Sequence, residues 1–300
     1  MIRTAVFITT NLMIMLLIGF FLVITGMYSH NVAKMMFSAC CIGFGGSFAS
    51  LFLSQWIAIR SVNGRIIEKP SNEYEHWLVN TIQNQVNMVG VKMPKVVIYP
   101  ANDINAFATG SKRNQSLVAV SSGLLQNMNN SEVEAVLAHE ISHIDNGDMV
   151  MMTLIQGVLN TFVVFFASII ATVISTIIAN IFFSNIKNHE NNKHLTALNS
   201  TISSALMNIL GTFASIVAMW FSRRREFHAD AGAAKLVGAE KMIAALERLK
   251  TSKEPNEPNN IITFCIHGKR NSWFELFMSH PPLDQRIDAL RKQYFKSTIK

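Results

Sequence analysis

The 300-residue chain is poor in charge, cysteine and proline: 15% of its residues are charged, three are cysteine and seven are proline. Soluble enzymes carry charge on about a quarter of their residues, so an ordinary water-facing domain is excluded for the chain as a whole. Cys40 and Cys41 are adjacent in an apolar run and Cys265 stands alone, which excludes a disulfide framework and is compatible with a reducing compartment. Internal repeats and low-complexity segments are absent. No charged residue interrupts the four long apolar runs, where an ion or proton path ordinarily leaves one. That absence speaks against a transporter.

Half of the chain is hydrophobic, concentrated in uncharged runs at 4–27, 35–59, 149–186 and 195–222. About 20 residues at 1.5 Å each cross a hydrocarbon layer, so these read as four transmembrane segments. The first is taken as a retained span, because a signal peptide has a shorter apolar core ending at a small-residue cleavage site. Gly43, Gly45, Gly46, Ser47, Ala49 and Ser50 give the second small-residue spacing suited to close helix contact. The third is too long for one perpendicular crossing, which places the crossing near 159–183. The fourth is the most polar. The net charge of +7 gathers at the ends of these runs, so it reads as topology rather than as a nucleic-acid surface. The positive-inside rule puts Arg3, Arg60, Arg65 and Arg223 to Arg225 in the cytoplasm, with an even number of spans and both termini on that side.

Between the hairpins the texture is that of a soluble domain. Asn72 opens an amphipathic helix over 73–89. Residues 96–99, 105–110 and 116–120 read as short strands of a small sheet. Residues 131–147 form the next helix, with Ser131 and Glu134 as a capping box and Gly147 as the stop. On it His139 and His143 are four apart and leave one face together, with Glu140 between them: His-Glu-x-x-His, a zinc motif. Asp145 and Asp148 are expected to solvate the end of this helix. After the second hairpin, helices at 226–237, 239–250 and 283–295 surround a loop over 252–260.

A catalytic zinc takes three protein ligands and leaves a fourth position for water. A third histidine close by would require Gly at 146 and His at 149, where the sequence has Asn146 and Met149. A glutamate on another helix is the alternative. Glu226 and Asp230 are four apart, so Glu226 can ligate while Asp230 accepts the other ring N–H of a ligand histidine. By position alone Glu226 equally suits a helix N-terminus as a dipole-complementing acid.

His-Glu-Ile-Ser-His on a helix, then an apolar hairpin, then Arg-Arg-Arg-Glu-Phe-His-Ala-Asp resembles the HtpX family of bacterial membrane zinc metalloproteases, relatives of the CAAX prenyl endopeptidases. The resemblance runs through nearly the whole chain. It implies a mainly α membrane protein of about four transmembrane helices with a cytoplasmic gluzincin-type protease domain of helices and a small β-sheet. The parts are 1–60 and 149–222 as transmembrane hairpins, and 61–148 with 223–300 as the two pieces of the catalytic domain. It implies one Zn2+ per chain on His139, His143 and Glu226, with Asp230 behind a ligand and Glu140 as the base that activates water. The segment Asn105, Ala106, Phe107 and Ala108 matches a substrate-binding edge in that family, and a buried inner strand is the competing reading. His280 and Arg286 match a His-Pro-Pro and Arg pattern placed to steady the oxyanion or the ligand shell, or they serve the turn and helix there. The implied partners are the bilayer and protein or peptide substrates, chiefly misfolded or damaged membrane proteins, in quality control and stress response at the bacterial inner membrane. Processing of specific or lipidated peptides, or a non-catalytic metal-binding scaffold, are the alternatives; an intact Glu140 argues against the scaffold.

Overall fold

The computed structural model describes residues 30–182, 189–252 and 280–295. The expected first span at 4–27, Cys265 and nearly all of the expected 252–260 loop lie outside them. The chain is mainly helical, with one small sheet. Among the described residues three helices are long and apolar enough to cross a membrane, over Met36–Ser61, Asp148–Ile178 and Leu195–Val237.

In chain order the elements are α1 (His30–Ser61), β1 (Arg65–Ile66), α2 (Glu73–Val89), β2 (Lys95–Tyr99), β3 (Ala106–Lys112), β4 (Gln115–Ser121) and α3 (Ser122–Asn127). There follow α4 (Asn130–Asn146), α5 (Asp148–Phe182), α6 (His189–Val237), α7 (Ala239–Ser252) and α8 (Leu283–Phe295). They group into two compact units: one holds the chain up to Ala49 together with Thr153–Ala218, the other Ser50–Met152 with the chain from Met219.

In the first unit α1 meets α5 at small residues. A side chain at Gly43 would strike Thr161 and the Gly157 carbonyl, and one at Gly157 would strike Phe44. The expected close helix contact is therefore realised at Gly43, whereas Gly45 and Gly46 face open space.

In the second unit the sheet has the order β1-β2-β4-β3, with β2 parallel to β4 and the outer pairs antiparallel. Both faces are covered, which explains why residues 117–120 read as an unbroken apolar run. Val96, Val118 and Val120 pack with Leu78, Ile82 and Val86 of α2 and Leu137 and Ile141 of α4. Val97, Tyr99, Leu117 and Ala119 form a second cluster with Ile59, Val62 and Phe107. Strand β3 lies at the end of the sheet, so the expected edge is an edge. Strand β1 is only two residues long and had no sequence signal.

Three boundaries differ from expectation. The capping box of α4 is Asn129 with Glu132, each side chain bonded to the other's backbone N–H. The Ser131–Glu134 pair has the same spacing two residues too late, and Glu134 instead ties α4 to α7 through Lys241 at 2.6 Å. Helix α6 is continuous through Arg223 to Arg225 and on to Val237, where a fresh helix was expected at Glu226. Between Gly211 and Gly232 it contains neither glycine nor proline, and arginine, glutamate and alanine are good helix formers. A change of polarity alone does not stop it. Likewise α5 starts directly after Gly147, whose φ of 70° ends α4, and runs about 52 Å without a break.

Candidate metal centre

Helix α4 is buried nearly all round, from Val133 to Ile144, with the sheet and α2 on one side and α7 on another. This fixes the rotation of the helix and hence the direction of His139 and His143. The two rings meet edge to face, with their Nε2 atoms 3.1 Å apart. Helix α6 brings the third group. Its passage close to α4 is permitted by Gly232, where an added Cβ would lie 2.6 Å from Ser142 Oγ and 2.9 Å from Ser142 Cβ. Gly232→Ala is expected to lower the unfolding free energy by about 1–2 kcal/mol, since overpacking outweighs the gain in helix propensity. Denaturant titration checks it, and Ser142→Gly in the same chain should restore most of the loss.

Glu226 is 4% exposed, and its Oε1 lies 3.3 Å from His143 Nε2 while its Oε2 lies 3.6 Å from His139 Nε2. It sits deep within α6, so the reading of Glu226 as a helix N-terminal acid is removed. Both histidines have their other nitrogen occupied. His139 Nδ1 donates to Asp230 Oδ1 at 2.9 Å, and His143 Nδ1 donates to Asp148 Oδ2 at 2.6 Å. Two Nε2 atoms and a carboxylate oxygen therefore converge. That is unfavourable for acceptors alone and suits a divalent cation. Ligand atoms at about 2.0–2.2 Å from a tetrahedral zinc stand about 3.4 Å apart, and the three separations here are 3.1, 3.3 and 3.6 Å.

Glu140 is buried beside the histidines and receives the backbone N–H of Ala108. Burial pushes its carboxyl above the ordinary carboxylate range, against the pull of His139 and His143. That same N–H places β3 next to Glu140, which joins the expected edge segment to the centre. Within it, Ala106 and Ala108 pair with Val120 and Val118. Phe107 turns its ring onto Tyr99, with centroids 5.8 Å apart. Asn105 precedes the strand; its N–H donates to Ser121 Oγ and its carbonyl accepts from Ser121 N–H.

Arg286 is 6% exposed. Its Nε and Nη2 hold both oxygens of Asp230 at 2.8 and 2.6 Å, and its Nη1 lies 3.0 Å from Glu226 Oε2. His280 has an open side chain whose Nδ1 lies 2.9 Å from Glu226 Oε2. Asp148 corrects an expectation: it is buried against His143 and paired with Arg225, not solvating a helix end. Asp145 instead pairs with Arg113 at the surface. The spacing of Asp148 five residues after His143 was the available signal for its role.

Residues 72–294 match Peptidase family M48. The chain is 55% identical over 297 residues to the Protease HtpX of Enterobacter sp. (strain 638), covering 99% of this chain and 100% of that protein. It is 56% identical over 298 residues to the Protease HtpX of Yersinia pestis (strain Pestoides F), with the same coverage. Among solved structures it is similar to S. mikatae Ste24p, with a TM-score of 0.55 and 19% identity over 82% of this chain. The chain spans 55% of the length of that structure, a likeness of fold alone.

Proposed function

The chain belongs to peptidase family M48, as a membrane metalloprotease of the HtpX type, and from that premise we propose that it is a zinc endopeptidase acting at the cytoplasmic face of the bacterial inner membrane. The observation that carries this is the convergence of His139, His143 and Glu226, with Glu140 beside it and not in it. Zinc held by the three would supply the Lewis acidity that polarises a peptide carbonyl and acidifies water. The remaining work falls to the chain. Glu140 takes a proton from the attacking water and returns it to the leaving amine. The outer edge of β3, at Ala106 and at the carbonyl of Ala108, whose N–H Glu140 takes, aligns an extended substrate by backbone pairing, which binds with little side-chain selectivity. Such selectivity suits misfolded or damaged membrane proteins better than one lipidated peptide. His280, the exposed group at the centre, is positioned to meet the developing oxyanion.

The membrane orientation rests on charge. Arg60 stacks on Trp56 at 4.7 Å and Arg224 on Trp220 at 4.2 Å, aromatic and cationic pairs of the kind found where spans leave the bilayer on the cytoplasmic side. In this reading 1–60 and 149–222 are the membrane hairpins, and 61–148 with 223–300 form one protease domain. The test is cleavage of casein, or of the chain itself, by detergent-solubilised protein purified under chelator. Fragments should be absent until zinc is added and then grow with one equivalent per chain. Cleavage that persists unchanged under chelator would refute the metal mechanism.

A further inference from the structure

Each ligand histidine is backed by a carboxylate, and each carboxylate is held by an arginine, yet the two backings are built differently. Behind His139, Arg286 grips both oxygens of Asp230 and also reaches Glu226. Behind His143 the partner is Asp148, the first residue of α5, and its second oxygen is paired with Arg225 of α6. We propose that Asp148 and Arg225 are positioning residues that hold the His143 ring with Nε2 presented to the metal. The inference rests on reading His139, His143 and Glu226 as the metal site.

Four observations carry it. The two oxygens of Asp148 are divided, Oδ2 to His143 Nδ1 at 2.6 Å and Oδ1 to Arg225, so neither the ring nor the carboxylate can turn without losing a partner. Gly147, at φ 70°, lets α5 begin at once after α4, which brings Asp148 back over the last turn of α4 rather than out to water. Asp145, only three residues earlier, stays at the surface on Arg113, so the two acids do different things.

Arg225 itself is the strongest sign. A guanidinium present only as a membrane-flank charge would sit in water, as Arg224 does on the exposed Trp220. The Arg225 side chain is 14% exposed, and its Nε and Nη1 are buried with no hydrogen-bond partner among the described residues. Burying a cation is costly unless it is paired, and the partner found for it is the carboxylate behind a metal ligand. Arg225 also adjoins Glu226 in the chain, so one turn of α6 delivers both the third ligand and the clamp on the second.

Zinc affinity of the detergent-solubilised full chain, measured by competition with a fluorescent chelator, and the visible spectrum of the cobalt-substituted protein provide the test. Asp148→Asn should weaken zinc binding by about 10–100-fold and alter the cobalt bands. Arg225→Met should weaken it by a smaller factor, and Arg225→Lys should recover most of that loss, since one charged contact to Oδ1 is needed rather than a fork. His143→Ala serves as the reference. If His143→Ala also binds zinc like the wild type, the metal site itself is misread. If it loses zinc while a folded Asp148→Asn binds normally, the positioning role alone is overturned. Should Asp148→Asn fail to fold, unchanged affinity in Arg225→Met overturns it in the same way.

Discussion

Glu140→Ala is expected to bind one zinc with wild-type affinity and to cleave at least about 10²–10⁴-fold more slowly, the range by which positioned general bases accelerate proton transfer. Glu140 shares α4 with the two histidines and is buried beside them, but its contact is the Ala108 N–H of β3, whereas the ligand atoms converge with Glu226. Removing its carboxylate leaves all three ligands and both supporting carboxylates in place. The attacking water then loses the carboxylate that takes its proton, and the leaving amine loses the group that returns it. Zinc titration and fragment analysis on one preparation check both halves. Cleavage at the wild-type rate would move the base elsewhere. Loss of zinc together with activity would make Glu140 part of the ligand shell. Zinc binding without cleavage in wild type and variant alike would favour the scaffold reading.

The parts of this molecule that were legible in the sequence are those where one local rule acts alone. Helix α2 carries a clean apolar stripe, an Asn72 cap and a Gly90 stop at φ 67°, and it occupies the expected residues. The pair His139 and His143 needs only helical spacing. Where two rules compete, the sequence misleads. Asn129-x-x-Glu132 and Ser131-x-x-Glu134 both spell a capping box; the first forms, and Glu134 pairs with Lys241. Arg223 to Arg225 read as one topological signal, yet Arg224 lies on Trp220 and Arg225 is buried against Asp148. Which arginine turns inward depends on the rotation of α6, and that rotation is set by the close passage at Gly232. Asp148 read as helix-end solvation because its contact with His143 exists only once Gly147 has folded α5 against α4. Strand β1 is two residues long and is held by pairing with β2, from Arg65 with Ile98 to Ile66 with Val97, so no periodicity could announce it.

Arg286→Ala is expected to cost the metal-free protein about 3–5 kcal/mol of unfolding free energy, the penalty for leaving buried charges uncompensated, and to lower zinc affinity in parallel. The guanidinium is the counter-ion of two carboxylates that are 1% and 4% exposed, Asp230 and Glu226. Without it, two negative groups face each other next to His139, and the favourable responses are to protonate one of them or to admit water. Either response loosens the hydrogen bond from His139 Nδ1 to Asp230 that fixes the ring. Arg286→Lys should rescue little, because a single ammonium cannot reproduce the two parallel contacts to Asp230 while also reaching Glu226. This separates the two roles read for the residue from sequence. A group that only steadied the oxyanion would, on removal, lower kcat and leave both zinc affinity and metal-free stability intact. With Nε and Nη2 on Asp230 and Nη1 turned to Glu226, the guanidinium is committed behind the ligands, so denaturant unfolding of the apo protein should register the substitution before any kinetic assay does.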